Sequence, residues 1–316
     1  MTITPLAAPT SHQPAPAFRG RIGKDARSGH YAVPGRYRLH LSTAGPDGLR
    51  IAVVHGLLGL DAACPVTFLP AVPDGPEGGY SVLRPLYEAS AHRYTGAPTA
   101  PVLSDGWSGR IVSTHAPDIM RDLAGRFGGD HSALYPCGAD SEIDAVERMC
   151  AQRMNEAAQS AGPAGGEPAE REAALVTLLE TLGALERWLL GRAYMIRDEV
   201  TAADVELWTA LVQLDTVHRH HLDAGAVQRI AAHPTLWAYA RRLTAHPAFG
   251  RHLDLDGIGR RHHARCHGLE AAGAAVQILD WTAHVVRRRQ ALTCRPAPPS
   301  RCGGESQVPM GPDDVR

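Results

Sequence analysis

The stretch GRYRLHLSTAGPDGLRIAVVHGLL, residues 35–58, joins two different periodicities within one short turn. From Arg36 to Leu41 polar and apolar side chains alternate, which is typical of a half-buried strand. From Pro46 to Leu58 apolar residues recur with a helical period, and Pro46 occupies a first-turn position where its missing N–H costs nothing. The stretch therefore predicts a strand, a turn and a helix in direct succession.

Further strand and helix patterns complete a small mixed domain around this unit. Short strands are predicted at residues 65–69, 101–103 and 110–113, and a helix at 117–127. The resulting order, βαβ and then ββα, fits a small sheet with helices packed on it. The class predicted for the whole chain is therefore α+β, with a small sheet domain followed by an all-helical one.

Strand patterns stop beyond residue 128, and only helical periodicity follows. Thr201 opens one of these helices as its N-cap, with Asp204 three residues later in the spacing of a capping box. The remaining predicted helices lie at 141–159, 170–190, 235–245 and 257–267. We divide the chain into an irregular arm (1–35), the sheet domain (36–128), an all-helical domain (129–290) and a disordered tail (291–316).

Composition excludes several classes of function. With 316 residues, 44% of them hydrophobic, the chain is long enough to bury a full core. Lys and Arg number 32 against 33 Asp and Glu, so no basic field is available for nucleic acid or an anionic membrane. Six cysteines without a C-x-x-C pair, and no visible signal sequence or membrane span, indicate reduced thiols in the cytoplasm.

Several stretches resemble the glutathionyl-hydroquinone reductases, the xi class of the glutathione transferase superfamily. They are FRGRIG (18–23), GRYRLHLSTAGPDGLR (35–50), TAPVLSDGWSGRIVS (99–113), VTAADVELWTALVQLDTVHRHHL (200–222) and, more weakly, LDLDGIGRRHHARCH (253–267). The resemblance implies a thioredoxin-like domain followed by a helical transferase domain, a small thiol such as glutathione as cofactor, and a homodimer.

The departures from the family pattern bear on the chemistry. Where the family has Ala-Cys-Pro-Trp after the first strand, with the cysteine as nucleophile, this chain has Gly45, followed by Pro46 and Asp47. Cys64 precedes the second strand and is not a substitute. The Glu-Ser pair that holds the γ-glutamyl end of glutathione in the family is replaced by His115 and alanine.

The resemblance still implies a thiol-binding set, in which Pro101 is cis and the backbone of Ala100 faces the thiol. The complete predicted set is Gly45, Pro46, Ala100, Pro101, Val102 and His115. The backbone N–H groups and the dipole at the start of the first helix favour an anion whether or not a sulfur is present. The hydroxyl of Thr43, with that of Ser42, is a candidate for supporting a bound thiolate.

Histidines supply the other candidate catalytic groups. The family's pocket tyrosines correspond to His218 and, after a shift of one residue, to His263, while His221 matches the family pattern. We assign His218 and His221 general acid–base roles. Helical spacing also pairs His218 with His221 and His263 with His267, as metal ligands would be spaced. No specific zinc signature accompanies them, so no metal is predicted.

Three functions remain open at this point. The first is a transferase-like enzyme that acts on an aromatic or quinone-like molecule by addition, elimination or isomerisation, without a cysteine nucleophile. The second is a non-catalytic member of the family that binds a small molecule or a protein. The third, a thiol oxidoreductase of the glutathionyl-hydroquinone reductase type, requires a sulfur that position 45 does not supply.

Overall fold

A four-stranded mixed sheet organises the N-terminal part of the computed structural model, which describes residues 18–128, 132–163, 165–266 and 270–283. The strands are β1 (Tyr37–Leu41), β2 (Val66–Phe68), β3 (Val102–Asp105) and β4 (Arg110–Ser113). Their order is β2-β1-β3-β4, with β2 parallel to β1 and the other pairs antiparallel. This is the thioredoxin-like sheet that the sequence patterns predict.

Three helices pack on the sheet: α1 (Pro46–Leu57), α2 (Arg84–Ser90) and α3 (Ala116–Phe127). Helix α1 begins at Pro46, as expected, with Gly45 as its N-cap. Its apolar side chains are buried on more than one face, because the helix lies between the sheet domain and the helical part that follows. The start of α1 is thereby placed at the junction between the two parts of the chain.

The helical part follows after residue 132 and contains one irregular helix. Its α-helices are α4 (Asp140–Arg148), α5 (Ala157–Ala161), α6 (Pro168–Trp188), α7 (Ala202–Thr216), α8 (Ala224–Ala231), α9 (Pro234–Thr244), α10 (Pro247–Gly250) and α11 (Leu255–Cys266). A π-helical segment, Met149–Glu156, joins α4 to α5, so the predicted helix at 141–159 is continuous but not uniform. Such segments are often found near functional sites.

Helix α7 is the central helix of this part and starts with the predicted capping box. The carboxylate of Asp204 accepts hydrogen bonds from the backbone N–H and the hydroxyl of Thr201, each 2.8 Å long. The other carboxylate oxygen of Asp204 accepts hydrogen bonds from the Met195 N–H and the Tyr239 hydroxyl, each also 2.8 Å long. A carboxylate so completely bonded within the protein holds the fold together, and its predicted role as a fold element is confirmed.

The described end of the N-terminal arm lies along β4. The N–H of Gly20 donates to the Val112 carbonyl at 2.8 Å, and the N–H of Thr114 donates to the Phe18 carbonyl at 3.0 Å. The start of the arm and the predicted C-terminal tail lie outside the described residues. No helix in the described ranges combines the length and the apolar character that a bilayer span requires.

Candidate functional site

A cavity of about 640 Å³ opens where the start of α1 faces the helical part. Its wall is formed by the start of α1, the π-helical segment and α5, the end of α7, the turn that follows α7, and α11. The side chains that line it are those of Ala44, Pro46, Asn155, Ala158, Gln159, Pro163, Gln213, Val217, His218, His221, Ile258, Arg261, His262, Arg265 and Cys266, together with Gly162. The cavity therefore combines apolar walls with cations, imidazoles and one thiol.

The start of α1 lines this cavity with the side chain of Pro46, and the residue before it, Gly45, has no side chain. Gly45 has extended backbone angles, φ −108° and ψ 148°, and no side chain caps the helix. Ser42, a predicted source of a hydroxyl, instead donates its hydrogen to the Pro70 carbonyl at 3.1 Å. Thr43 does not line the cavity, because Ala44 supplies the side chain that reaches the wall from this end of β1. The placement of Thr43 therefore lends no support to its predicted catalytic role.

The side chain that stands opposite Gly45 is Arg261. A Cβ atom built on Gly45 would lie 3.8 Å from Cζ and 3.9 Å from Nε of this guanidinium. Two hydrogen bonds hold the arginine in place: Nη1 donates to the Ala71 carbonyl at 3.2 Å and to the Tyr80 hydroxyl at 2.9 Å. Position 45 thus has room for a Cβ in ordinary van der Waals contact, between a helix N-terminus and a fixed cation. The sequence patterns did not identify Arg261, since the two residues meet only through the tertiary fold.

The predicted cis proline is present beside the same end of β1. The peptide bond between Ala100 and Pro101 is cis. The antiparallel register that pairs Val102 with His40 places Pro101 opposite the last residue of β1, a few residues before Gly45. Ala100, Pro101 and Val102 are not among the residues that line the cavity.

His115, the remaining predicted thiol-binding residue, belongs to a different cleft. It lies at the start of α3, where its Nδ1 is 3.0 Å from the Asp118 carboxylate, and Asp118 also pairs with Arg19 at 2.8 Å. This shallow charged cleft is further lined by Arg21 and Arg121. The structure therefore places His115 in this charged cleft and not in the cavity.

The two predicted catalytic histidines do line the cavity. His218 and His221 lie in the short 3-10 turn His218–His221 that follows α7. Burial, together with smaller contributions from the neighbouring His221 and His262, lowers the pKa of His218 to about 4. The His218 imidazole is therefore neutral at physiological pH, and it can donate or accept a hydrogen bond without carrying charge.

His262, not His263, provides the third cavity imidazole. Along α11 the lining residues follow the spacing of one helix face: Ile258, Arg261, His262, Arg265 and Cys266. His263 falls outside this stripe and is exposed, which corrects the assignment made from the sequence. His267, its predicted partner, lies outside the described residues.

Cys266 lies between two of these histidines. Its Sγ is 3.3 Å from Nε2 of His221 and 3.3 Å from Nδ1 of His262. Burial raises the pKa of the Cys266 thiol, as does the nearby Glu270 carboxylate to a lesser extent. Burial also lowers the pKa of His262, with a further contribution from His221. Both groups are therefore biased toward their neutral forms.

A buried ion pair fixes the first turn of α1 against α7. Arg50 contacts the carboxylates of Glu206 and Asp47. Burial alone would lower the pKa of Arg50, but the two carboxylates outweigh it and hold that pKa above its usual value. The pair connects the cavity end of α1 to the central helix, so it positions Gly45 relative to the helical wall.

Comparison with known proteins identifies the family. Residues 168–242 match the glutathione S-transferase C-terminal domain. Glutathionyl-hydroquinone reductase PcpF of Sphingobium chlorophenolicum is 31% identical to this chain, over 79% of this chain and 82% of its own length. Glutathionyl-hydroquinone reductase YqjG of Escherichia coli is 28% identical, over 84% of this chain and 88% of its own length. The xi glutathione transferase of Phanerochaete chrysosporium superposes with a TM-score of 0.68 at 26% identity, over 85% of this chain and 97% of its own. The chain thus belongs to the glutathionyl-hydroquinone reductase family, the xi class of the glutathione transferases.

Proposed function

We propose that this protein binds glutathione, or another small thiol, with its sulfur beside Gly45 and Arg261, and that it acts there on an aromatic or quinone-like compound. The observation that carries the proposal is the position of the Arg261 guanidinium, 3.8 Å from where a Cβ of residue 45 would lie. A cation and a helix N-terminus together favour the thiolate of a bound thiol. The nucleophile is then the sulfur of the cofactor.

The cavity offers a place for the second substrate beside this sulfur. Ala158, Val217 and Ile258 supply apolar surface that suits an aromatic ring. The neutral His218 imidazole can donate a hydrogen bond to a quinone oxygen, which polarises the ring toward attack by the thiolate. This arrangement suits addition, elimination or isomerisation, which need no protein sulfur.

Reductive deglutathionylation fits the site less well, although it is the activity named for the relatives. It requires a protein thiolate that forms a mixed disulfide. Among the described cysteines only Cys266 lines the cavity, and burial raises the pKa of its thiol.

A homodimer, as the family resemblance implies, remains part of the proposal.

Two measurements test the proposal. Calorimetric titration with glutathione measures thiol binding, and an assay with glutathione and a naphthoquinone measures turnover. We expect Arg261→Gln to weaken glutathione binding by roughly 10- to 100-fold, the value of one charge-assisted hydrogen bond. The matched control is Arg260→Gln, because Arg260 is an exposed neighbour outside the cavity. His218→Ala should lower turnover while leaving thiol binding intact.

Two results would contradict the proposal. If neither glutathione nor the quinone binds below millimolar concentration while circular dichroism shows a folded chain, the proposed thiol and quinone sites are wrong. If Arg261→Gln and Arg260→Gln bind glutathione as the parent does, the sulfur does not occupy the space at Gly45.

A further inference from the structure

Three metal-binding atoms from two separate segments meet on one wall of the cavity. They are Nε2 of His221, from the turn after α7, and Nδ1 of His262 and Sγ of Cys266, both from α11. All three lie within 4.8 Å of one another, and all three residues line the cavity. The two α11 residues are four positions apart, so they share one face of the helix.

The distances match the edges of a tetrahedral metal site. With Zn–S near 2.3 Å and Zn–N near 2.0–2.1 Å, a tetrahedral centre separates sulfur and nitrogen by about 3.5 Å. Both sulfur–nitrogen distances here are 3.3 Å. Two of the three edges thus have nearly tetrahedral length, and the third, between the two nitrogens, lies within 4.8 Å.

The ring of His262 is buried, and its second nitrogen is available to an outer-shell partner. His262 is 94% buried, since its exposed fraction is 6%, and its Nε2 has no hydrogen-bond partner among the described residues. The Glu270 carboxylate lies within 4.8 Å of a ring nitrogen of His262, without a hydrogen bond to Nε2. Metal-bound histidines commonly have a carboxylate near the ring nitrogen that does not bind the metal.

We propose that His221, His262 and Cys266 bind a zinc-like divalent ion, with the fourth coordination position open to the cavity. Two imidazoles and one thiolate form a ligand set of mixed N and S atoms, which suits zinc. Three protein ligands and one open position are the composition of catalytic rather than structural zinc sites. The open position takes water or the sulfur of a small thiol.

Titration of the full chain with Co²⁺ tests this site directly. The protein is kept reduced with a phosphine, and no thiol is added, so the result does not depend on the proposed thiol chemistry. We expect one equivalent of Co²⁺ to give the visible bands of a tetrahedral centre and a near-ultraviolet thiolate charge-transfer band, with Zn²⁺ displacing it. Cys266→Ala should abolish the charge-transfer band.

Matched variants separate ligation from general damage. Loss of an outer-shell partner typically lowers metal affinity by up to roughly 100-fold. Because His262 is proposed to bind the metal directly, His262→Ala should lower the affinity by more than this. His263→Ala, on the exposed side of the same helix, and Cys137→Ala, an exposed cysteine, should bind Co²⁺ as the parent does. Circular dichroism confirms that each variant is folded. The proposal is wrong if the parent shows no charge-transfer band, or if the band survives in folded Cys266→Ala.

Discussion

Gly45→Cys tests the idea that the space at the start of α1 is still arranged for a thiolate. The substitution should be tolerated, because the atoms nearest to a Cβ at this position lie at 3.8 Å or beyond, in ordinary van der Waals contact. The backbone angles, φ −108° and ψ 148°, are also accessible to any residue. We therefore expect a folded protein whose unfolding midpoint is close to that of the parent.

The electrostatic effect on the new thiol follows from two sources. Unit charges about 4 Å apart at an effective dielectric constant near 20 interact by about 4 kcal/mol. The helix terminus adds about 0.3–2 kcal/mol. Since Arg261 is only half-buried, we take about half of the sum, 2–3 kcal/mol, which raises the acidity constant of the thiol about 30- to 150-fold.

The assay is the rate of iodoacetamide alkylation against pH, followed by turnover of a glutathionyl-hydroquinone with glutathione. Gly45→Cys should react as a thiolate well below the pH at which an ordinary cysteine does, and it should form a mixed disulfide detectable by mass spectrometry. Gly45→Ser, which adds the same Cβ with a hydroxyl, is the matched control and should form none. A thiol at position 45 that titrates as a free cysteine would refute the electrostatic reasoning.

Two further predictions concern stability. The Arg36 hydrogen bonds are the largest of the causes that lower the pKa of the buried Asp105 to about 2. This shift corresponds to about 2 kcal/mol of stability that is present above about pH 4 and is lost as the pH falls toward 2. Denaturant unfolding against pH should show this loss in the parent and not in Asp105→Asn. Glu206→Gln leaves Arg50 without its buried partner and should lower the free energy of unfolding by about 3 kcal/mol. The control Glu199→Gln, on the surface, should change the free energy of unfolding by less than about 0.5 kcal/mol. Equal values for the two variants would contradict the role assigned to Glu206.

The parts of the fold that the sequence predicted depend on local patterns. The alternation before Leu41, the proline at the start of α1 and the spacing of Thr201 with Asp204 are properties of short segments, and the structure has all three as predicted. The π-helical segment was not predicted, because its extra residue per turn is not visible in the periodicity of so short a stretch.

The candidate site was harder to predict because its members come from distant segments. Arg261 reaches Gly45 only after α11 packs beside the start of α1, and no local pattern records that contact. The assignment of His263 failed for a simpler reason: one residue along a helix turns the side chain by about 100°, so an alignment shifted by one position selects the exposed face instead of the cavity face.

The arrangement of the cavity indicates which element now carries the reactive groups. The start of α1, where the family pattern has its nucleophile, contributes the Pro46 side chain and the helix dipole to the cavity. Helix α11 contributes the cation opposite Gly45 through Arg261, and it contributes a thiol and an imidazole through Cys266 and His262. If a small thiol binds at Gly45, its sulfur enters the same cavity as the open position of the proposed metal site. A chain that has lost the protein sulfur of α1 can therefore retain sulfur chemistry, provided that the cofactor brings the sulfur and α11 supplies the charge.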